Sequence, residues 1–91
     1  MTQDELFILI KRLASERKYK LTSHALIRLK QRKLTRNDIL DILENPKRLI
    51  REDVSSDGVH TYKIAGGINN HRLAIEIQDN ELIIIITAMN K

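Results

Sequence analysis

The chain of 91 residues has no cysteine, no tryptophan, a single proline and only three glycines. Without cysteine it can form no disulfide, no thiolate zinc site, no iron–sulfur cluster and no thiol nucleophile, exclusions that fit a reducing compartment. Two tyrosines and one phenylalanine are the whole aromatic content. Leucine and isoleucine must therefore fill the interior, and a large aromatic ligand box is not expected. Long apolar runs are also missing: Leu82 to Ile86 is five residues, against the roughly 20 a membrane-spanning helix needs. At the start, Asp4 and Glu5 precede Leu6 to Ile10, and Lys11 and Arg12 follow, a pattern unlike a secretory signal. The expectation is a cytoplasmic protein without a membrane partner.

Acid is missing from one long stretch. Between Glu16 and Asp38 there is no Asp or Glu, while eight bases appear: Arg17, Lys18, Lys20, Arg28, Lys30, Arg32, Lys33 and Arg36. The formal charge is +4 overall, but residues 1–51 carry about +7 and residues 52–91 about −3. A field of that asymmetry draws in polyanions or an acidic protein partner. Polyanions reward such clustering, because each neutralised phosphate releases condensed counterions. The bland alternative is a solvated helix whose bases keep the protein soluble.

Helical spacing dominates the first half. Thr2 with Glu5 makes a capping-box signal, and Leu6, Ile10 and Leu13 recur on one face, predicting a helix from about Gln3 to Arg17. Its acids lie at the start and its bases at the end, the order the helix dipole favours. Tyr19, Lys20 and Leu21 read as a short connection, and Thr22 or Ser23 caps a second helix running to about Lys33. Thr35 with Asp38 opens a third, which Asn45 and Pro46 stop. From Arg48 the period falls to two. Leu49 to Val54, Val59 to Ile64, His71 to Gln78 and Leu82 to Met89 read as strands, with Asp79 and Asn80 suited to a tight hairpin. The expected fold is α+β: three N-terminal helices packed on a four-stranded antiparallel meander, in one domain over residues 1–91. The last strand is apolar on both faces, which predicts a central strand covered by helices on one side and by loops, a partner or another chain on the other.

On the second helix, at 100° per residue, His24, Arg28, Gln31 and Arg32 fall within roughly 100° of arc. An imidazole titrating near neutral pH and two guanidiniums that grip phosphate through paired hydrogen bonds are sufficient equipment for RNA cleavage. Equally physical is a packed His24 that fixes the helix start, with Arg28 and Arg32 paired to sheet acids such as Glu76 or Asp53. His60 and His71 make no close i, i+4 pair with each other or with His24, so no metal is expected. Gly66-Gly67 reads as a turn rather than a phosphate loop, since no Lys-Ser/Thr follows it. Tyr62 and Thr87 sit on strands where a hydroxyl can meet a ligand, although packing is the commoner use of a strand tyrosine.

Leu21-Thr22-Ser23-His24-Ala25, with Arg28, Arg32 and Leu34-Thr35, resembles an uncharacterised bacterial domain-of-unknown-function family in which an H-A-x-x-R-x-x-x-R helix is followed by I-[ST]-x-x-[DE]-[IV]. Tyr62-Lys63-Ile64-Ala65-Gly66 and Ile85-Ile86-Thr87-Ala88 are similar to its Y-x-[VI]-x-G and [IV]-I-T strands. The resemblance covers roughly Leu21 to Met89 and leaves the first helix outside. The layout is similar to that of RelE/ParE-like toxins. That likeness implies a ribonuclease toxin, ribosome-linked or acting on free RNA, held by an antitoxin. A shared layout does not by itself confer activity. Sheet-borne bases look thin for such a nuclease, with Lys63 and Arg72 alone.

The resulting expectation is an RNA-directed, toxin-like domain cutting without metal or cofactor. Its catalytic candidates are His24, Arg28, Arg32, Tyr62 and Thr87, with Lys18, Lys20, Lys30, Lys33 and Arg36 holding RNA. Expected partners are RNA, in free or ribosome-associated form, an acidic antitoxin and a second copy of the chain. The rival is a non-catalytic interaction or dimerisation module docking through the apolar last strand.

Overall fold

The computed structural model describes residues 1–90. The elements run α1 (Gln3–Ser15), β1 (Tyr19–Leu21), α2 (Ser23–Arg32), α3 (Arg36–Glu44), β2 (Pro46–Val54), β3 (His60–Gly66), β4 (His71–Gln78) and β5 (Leu82–Met89). The α+β class is as expected. The sheet is not: it has five strands in the order β1-β5-β4-β3-β2 and is mixed. The extra strand is the segment expected to be a connection. Tyr19, Lys20 and Leu21 pair in parallel with Ile83, Ile84 and Ile85, so the order is no longer all helices and then all strands. Its partner lies more than sixty residues away, beyond the reach of any local pattern.

Both expected capping boxes form, with Thr2 and Glu5 at α1 and Thr35 and Asp38 at α3 each satisfying the other's backbone N–H. At α2 Thr22 is the cap. Its Oγ1 accepts from Ala25 N at 3.0 Å and donates to Ile86 O at 3.1 Å, so one hydroxyl starts the helix and ties it to β5. The helix ends use no glycine. Arg17 and Lys33 take positive φ of 59° and 56°, and Lys18 N and Leu34 N reach back to Leu13 O and Leu29 O, the Schellman pattern.

One face of the sheet carries the core. Tyr62, Ile64, Leu73, Ile75, Ile83, Ile85 and Ala88 pack with Leu6, Phe7, Ile10, Leu13, Ala25, Leu29, Ile39, Ile42 and Leu43 from the three helices. As expected, β5 is an inner strand. Its phase slips between Ile85 and Thr87, where Ile86 is an extra residue opposite β4, and a bulge of this kind moves Ala88 onto the core side. No helix among the described residues covers the opposite face. Lys63, Arg72, Ala74, Glu76, Ile84 and Thr87 are half-buried there, on the side where loops, a partner or another chain were the expected cover of β5. No helix among the described residues is long and apolar enough to cross a membrane.

The β3–β4 turn is fixed to the end of α3. Gly67 N donates to Asn45 O at 2.9 Å and Ile68 N to Asp41 Oδ2 at 2.8 Å. Gly66, expected to be required by the turn, is instead required by contact: a Cβ there would meet Asn45 O at 2.5 Å and Pro46 Cα at 2.8 Å. Positive φ, +73°, belongs to Gly67.

Candidate nucleic-acid interface

His24 and Arg28 do meet. They lie one turn apart on α2, alongside the buried stripe of Ala25 and Leu29, with His24 exposed and Arg28 half-buried, because four residues bring side chains onto one line of a helix. Arg28 Nε approaches His24 Nε2 at 3.4 Å, and Nη1 donates to Gln31 Oε1 at 3.1 Å. A guanidinium only donates, so Nε2 of the imidazole is the accepting atom of this contact. The ion pairs among the described residues are Lys18 with Glu16 and Glu81, Arg51 with Asp53, and His60 with Glu52. Arg28 and Arg32 are therefore not tied to Glu76 or Asp53. Their charge, with that of Lys30, Lys33 and Arg36, faces solvent or a neutral neighbour.

The rest of the candidate set is dispersed. Tyr62 lies on the core side of β3, 6% exposed, with its ring stacked near His60 at 6.4 Å between centroids. Burial, and secondarily the charge of Glu52, pushes its hydroxyl above the usual tyrosine range. It is a packing residue three strands from β1, not a companion of His24. Thr87 is half-buried on the helix-free face, level with Ala74. Lys18 is held by Glu81 and Glu16, which raise its pKa in that order, and it belongs to the β4–β5 hairpin end of the sheet. Lys20 is exposed on the short edge strand beside Ile84. The acid-free stretch of sequence is thus spread along the whole length of the strands.

Sequence reasoning missed where the sheet gathers base. Cross-strand register aligns Arg48, Ala65, Arg72 and Met89 in one row of the helix-free face and Arg51, Lys63, Ala74 and Thr87 in the next. The thinness expected of sheet-borne base is corrected: Arg48 joins Lys63 and Arg72, as does Arg51, whose charge Asp53 offsets at 2.8 Å. β2 begins at Pro46, and only that longer strand puts Lys47 and Arg48 on the sheet. Asn90 Nδ2 donates to Arg32 O at 3.4 Å, so the end of α2 adjoins the same end of the sheet as Arg72. The far end is acidic. Its cavity of about 470 Å³ is lined by Glu52, His60, Tyr62, Glu76 and Asp79 among others, and Glu52 Oε2 lies 2.7 Å from His60 Nδ1. Those acids suit the cavity poorly to a polyanion. Among the described residues no three His, Asp or Glu side chains gather to hold a metal ion.

Residues 21–90 match the family model described as Domain of unknown function (DUF4258). The chain belongs to this family. The DUF4258 match begins at the last residue of β1 and includes α2, α3 and the four strands that follow. It leaves α1 outside, although α1 supplies Leu6, Phe7, Ile10, Leu13 and Ala14 to the common core. No curated protein and no solved structure matched the chain.

Proposed function

We propose that this DUF4258 domain is an RNA-directed, toxin-like protein of the RelE/ParE kind that cleaves RNA without a metal ion. The observation that carries the reading is the exposed His24 imidazole beside Arg28, 3.4 Å away, with no carboxylate paired to either. In the proposed reaction, His24 takes the proton of a 2′-hydroxyl while the 2′-oxygen forms a bond to phosphorus. The bond from phosphorus to the 5′-oxygen breaks, and that oxygen leaves with a proton from solvent or from the imidazolium. Arg28 and Arg32 offset the charge that grows on the phosphoryl oxygens, where fixed donors act most strongly. Lys30, Lys33 and Arg36 hold the flanking backbone, an attraction that weakens as salt rises. Antitoxin binding and ribosome association belong to the same proposal.

The test is His24→Ala. The side chain is exposed, so its removal is expected to leave the melting temperature in place while RNA cleavage falls by about a hundredfold or more, the scale of a lost general acid or base. Cleavage equal to that of the unaltered protein overturns the enzyme reading. A second reading, a module docking an acidic protein or a second copy, draws on Leu82, Ile84 and Ile86, which are half-buried and have no helix over them. It gains if the protein binds no RNA at low salt.

A further inference from the structure

A second feature lies on the helix-free face, away from His24. A notch of about 300 Å³ opens there, lined by Lys47, Arg48, Ala65, Asn70 and Arg72. Its shape follows from the register. Ala65 on β3 stands between Arg48 on β2 and Arg72 on β4, so the smallest side chain of the row forms the floor and two guanidinium stems form the walls. Neighbouring strands lie about 4.8 Å apart, which separates the two arginine backbones by roughly 10 Å. A tetrahedral oxyanion fits between walls of that spacing, and no acid lines the notch.

Two observations distinguish this from a patch of solvated base. The floor is closed: Ala65 is only 4% exposed, shielded by the stems of its neighbours. Arg72 Nε is buried and has no hydrogen-bond partner among the described residues. Leaving a charged donor desolvated and unsatisfied is costly, and such groups call for a partner. Asn70, held at φ 54° by the turn fixed to α3, adds an amide at the rim. The whole wall is positioned by Gly66 and Gly67 against Asn45, Pro46 and Asp41.

The geometry points to a phosphate-binding site at this notch, in which Arg48 and Arg72 clamp the oxyanion from two sides and Lys47 and Asn70 close it. The phosphate can come from an RNA backbone or from free phosphate or a nucleotide. RNA as the source rests on the reading under Proposed function, whereas the site itself does not. Its volume, at the lower end of small-molecule pockets, suits one phosphodiester unit.

The test uses the full chain, labelled for amide NMR, and three proteins: unaltered, Ala65→Leu and Arg72→Ala. Inorganic phosphate is expected to shift the amides of Ala65, Asn70 and Arg72 saturably in the unaltered protein. Ala65→Leu fills the notch without removing charge, and Arg72→Ala removes one wall; each is expected to abolish the effect. Circular dichroism checks that both variants fold, and Arg72→Ala decides if Ala65→Leu does not. Phosphate that leaves these amides unmoved, or moves them equally in the folded variants, overturns the site. In a second arm, a fluorescent single-stranded RNA is expected to bind either variant about tenfold or more weakly, the scale of a charged hydrogen bond. Its salt slope is expected to fall by about one contact for Arg72→Ala. Phosphate binding without RNA binding keeps the site, assigns it to free phosphate or a nucleotide, and removes the RNA reading. RNA binding that is indifferent to both variants, with phosphate still seated, refutes RNA as the source.

Discussion

Gly66 and Gly67, with Gly58 of the β2–β3 turn as a reference, make a graded test of how the β3–β4 turn is held. Gly58 has φ +81° and nothing within 4 Å of an added Cβ, so Gly58→Ala costs only the left-handed conformation, about 1–2 kcal/mol. Gly67→Ala pays a similar conformational cost at φ +73° and also pushes on Asp41 Oδ2 at 2.6 Å, the atom that accepts from Ile68 N. Gly66→Ala carries no positive φ. Its methyl would meet main-chain atoms, Asn45 O at 2.5 Å and Pro46 Cα at 2.8 Å, which cannot swing aside as a side chain can. Relief requires β2 to move from the end of β3, an overpacking cost of about 3 kcal/mol, at the upper end of the usual range. For 91 residues, an unfolding entropy of about 2.1 cal/mol/K per residue converts each kcal/mol into roughly 5 °C of melting temperature. Thermal melts by circular dichroism are thus expected to fall by about 5–10 °C for Gly58→Ala and about 15 °C for Gly66→Ala, with Gly67→Ala at or above the Gly58 value. A Gly66→Ala protein that melts within a couple of degrees of the unaltered chain, or above Gly58→Ala, would refute the argument from backbone contact.

The Thr22 hydroxyl both caps α2 and reaches β5, so Thr22→Val, which keeps the shape, is expected to cost about 1–2 kcal/mol, read as a melting temperature lower by roughly 5–10 °C. An unchanged melt would show that the bond to Ile86 O contributes nothing. Tyr62 is held above its ordinary value of 10.0, chiefly by burial. The unfolded chain therefore ionises first, and the stabilising difference is full below pH 10.0 and lost as pH climbs through the folded value. Tyr62→Phe is expected to flatten the alkaline limb of melting temperature against pH, and an identical limb in both proteins would exclude the effect.

What was legible in the sequence was local. Capping boxes need only residues three apart, so Thr2 with Glu5 and Thr35 with Asp38 could be read directly. Period-two alternation found β4 and an unbroken apolar run found β5, each with its bounds, and Asp79 and Asn80 take the positive φ values their side chains tolerate. The His24–Arg28 contact followed from helical geometry alone. Illegible features depended on distant partners or broke a local rule. β1 is three residues long and owes its existence to β5. Arg17 and Lys33 close helices where glycine is the usual signal, so the predicted ends of α1 and α2 overran by a residue or two. Tyr62 was placed correctly on a strand, but its face was settled by the helices that cover it.

The same distinction governs charge. Counted along the chain, base belongs to the first half and acid to the second, yet the fold rearranges them along the strand axis. Lys47, Arg48 and Arg72 stand at the end where β5 finishes, beside the end of α2, while Glu52, Glu76 and Asp79 line the cavity at the other end. Lys18, from the basic half, is neutralised at that acidic end by Glu16 and Glu81. A polyanion is attracted to one end and repelled from the other, and fields of this kind orient an approach before any contact forms. Met89 pairs with Arg72, and its neighbour Asn90 bonds to Arg32 O, so the notch and the end of α2 are separated by little more than one strand. A phosphate seated between Arg48 and Arg72 would then direct the adjoining backbone across β5 toward α2, and on the proposed reading that is the direction in which His24 lies.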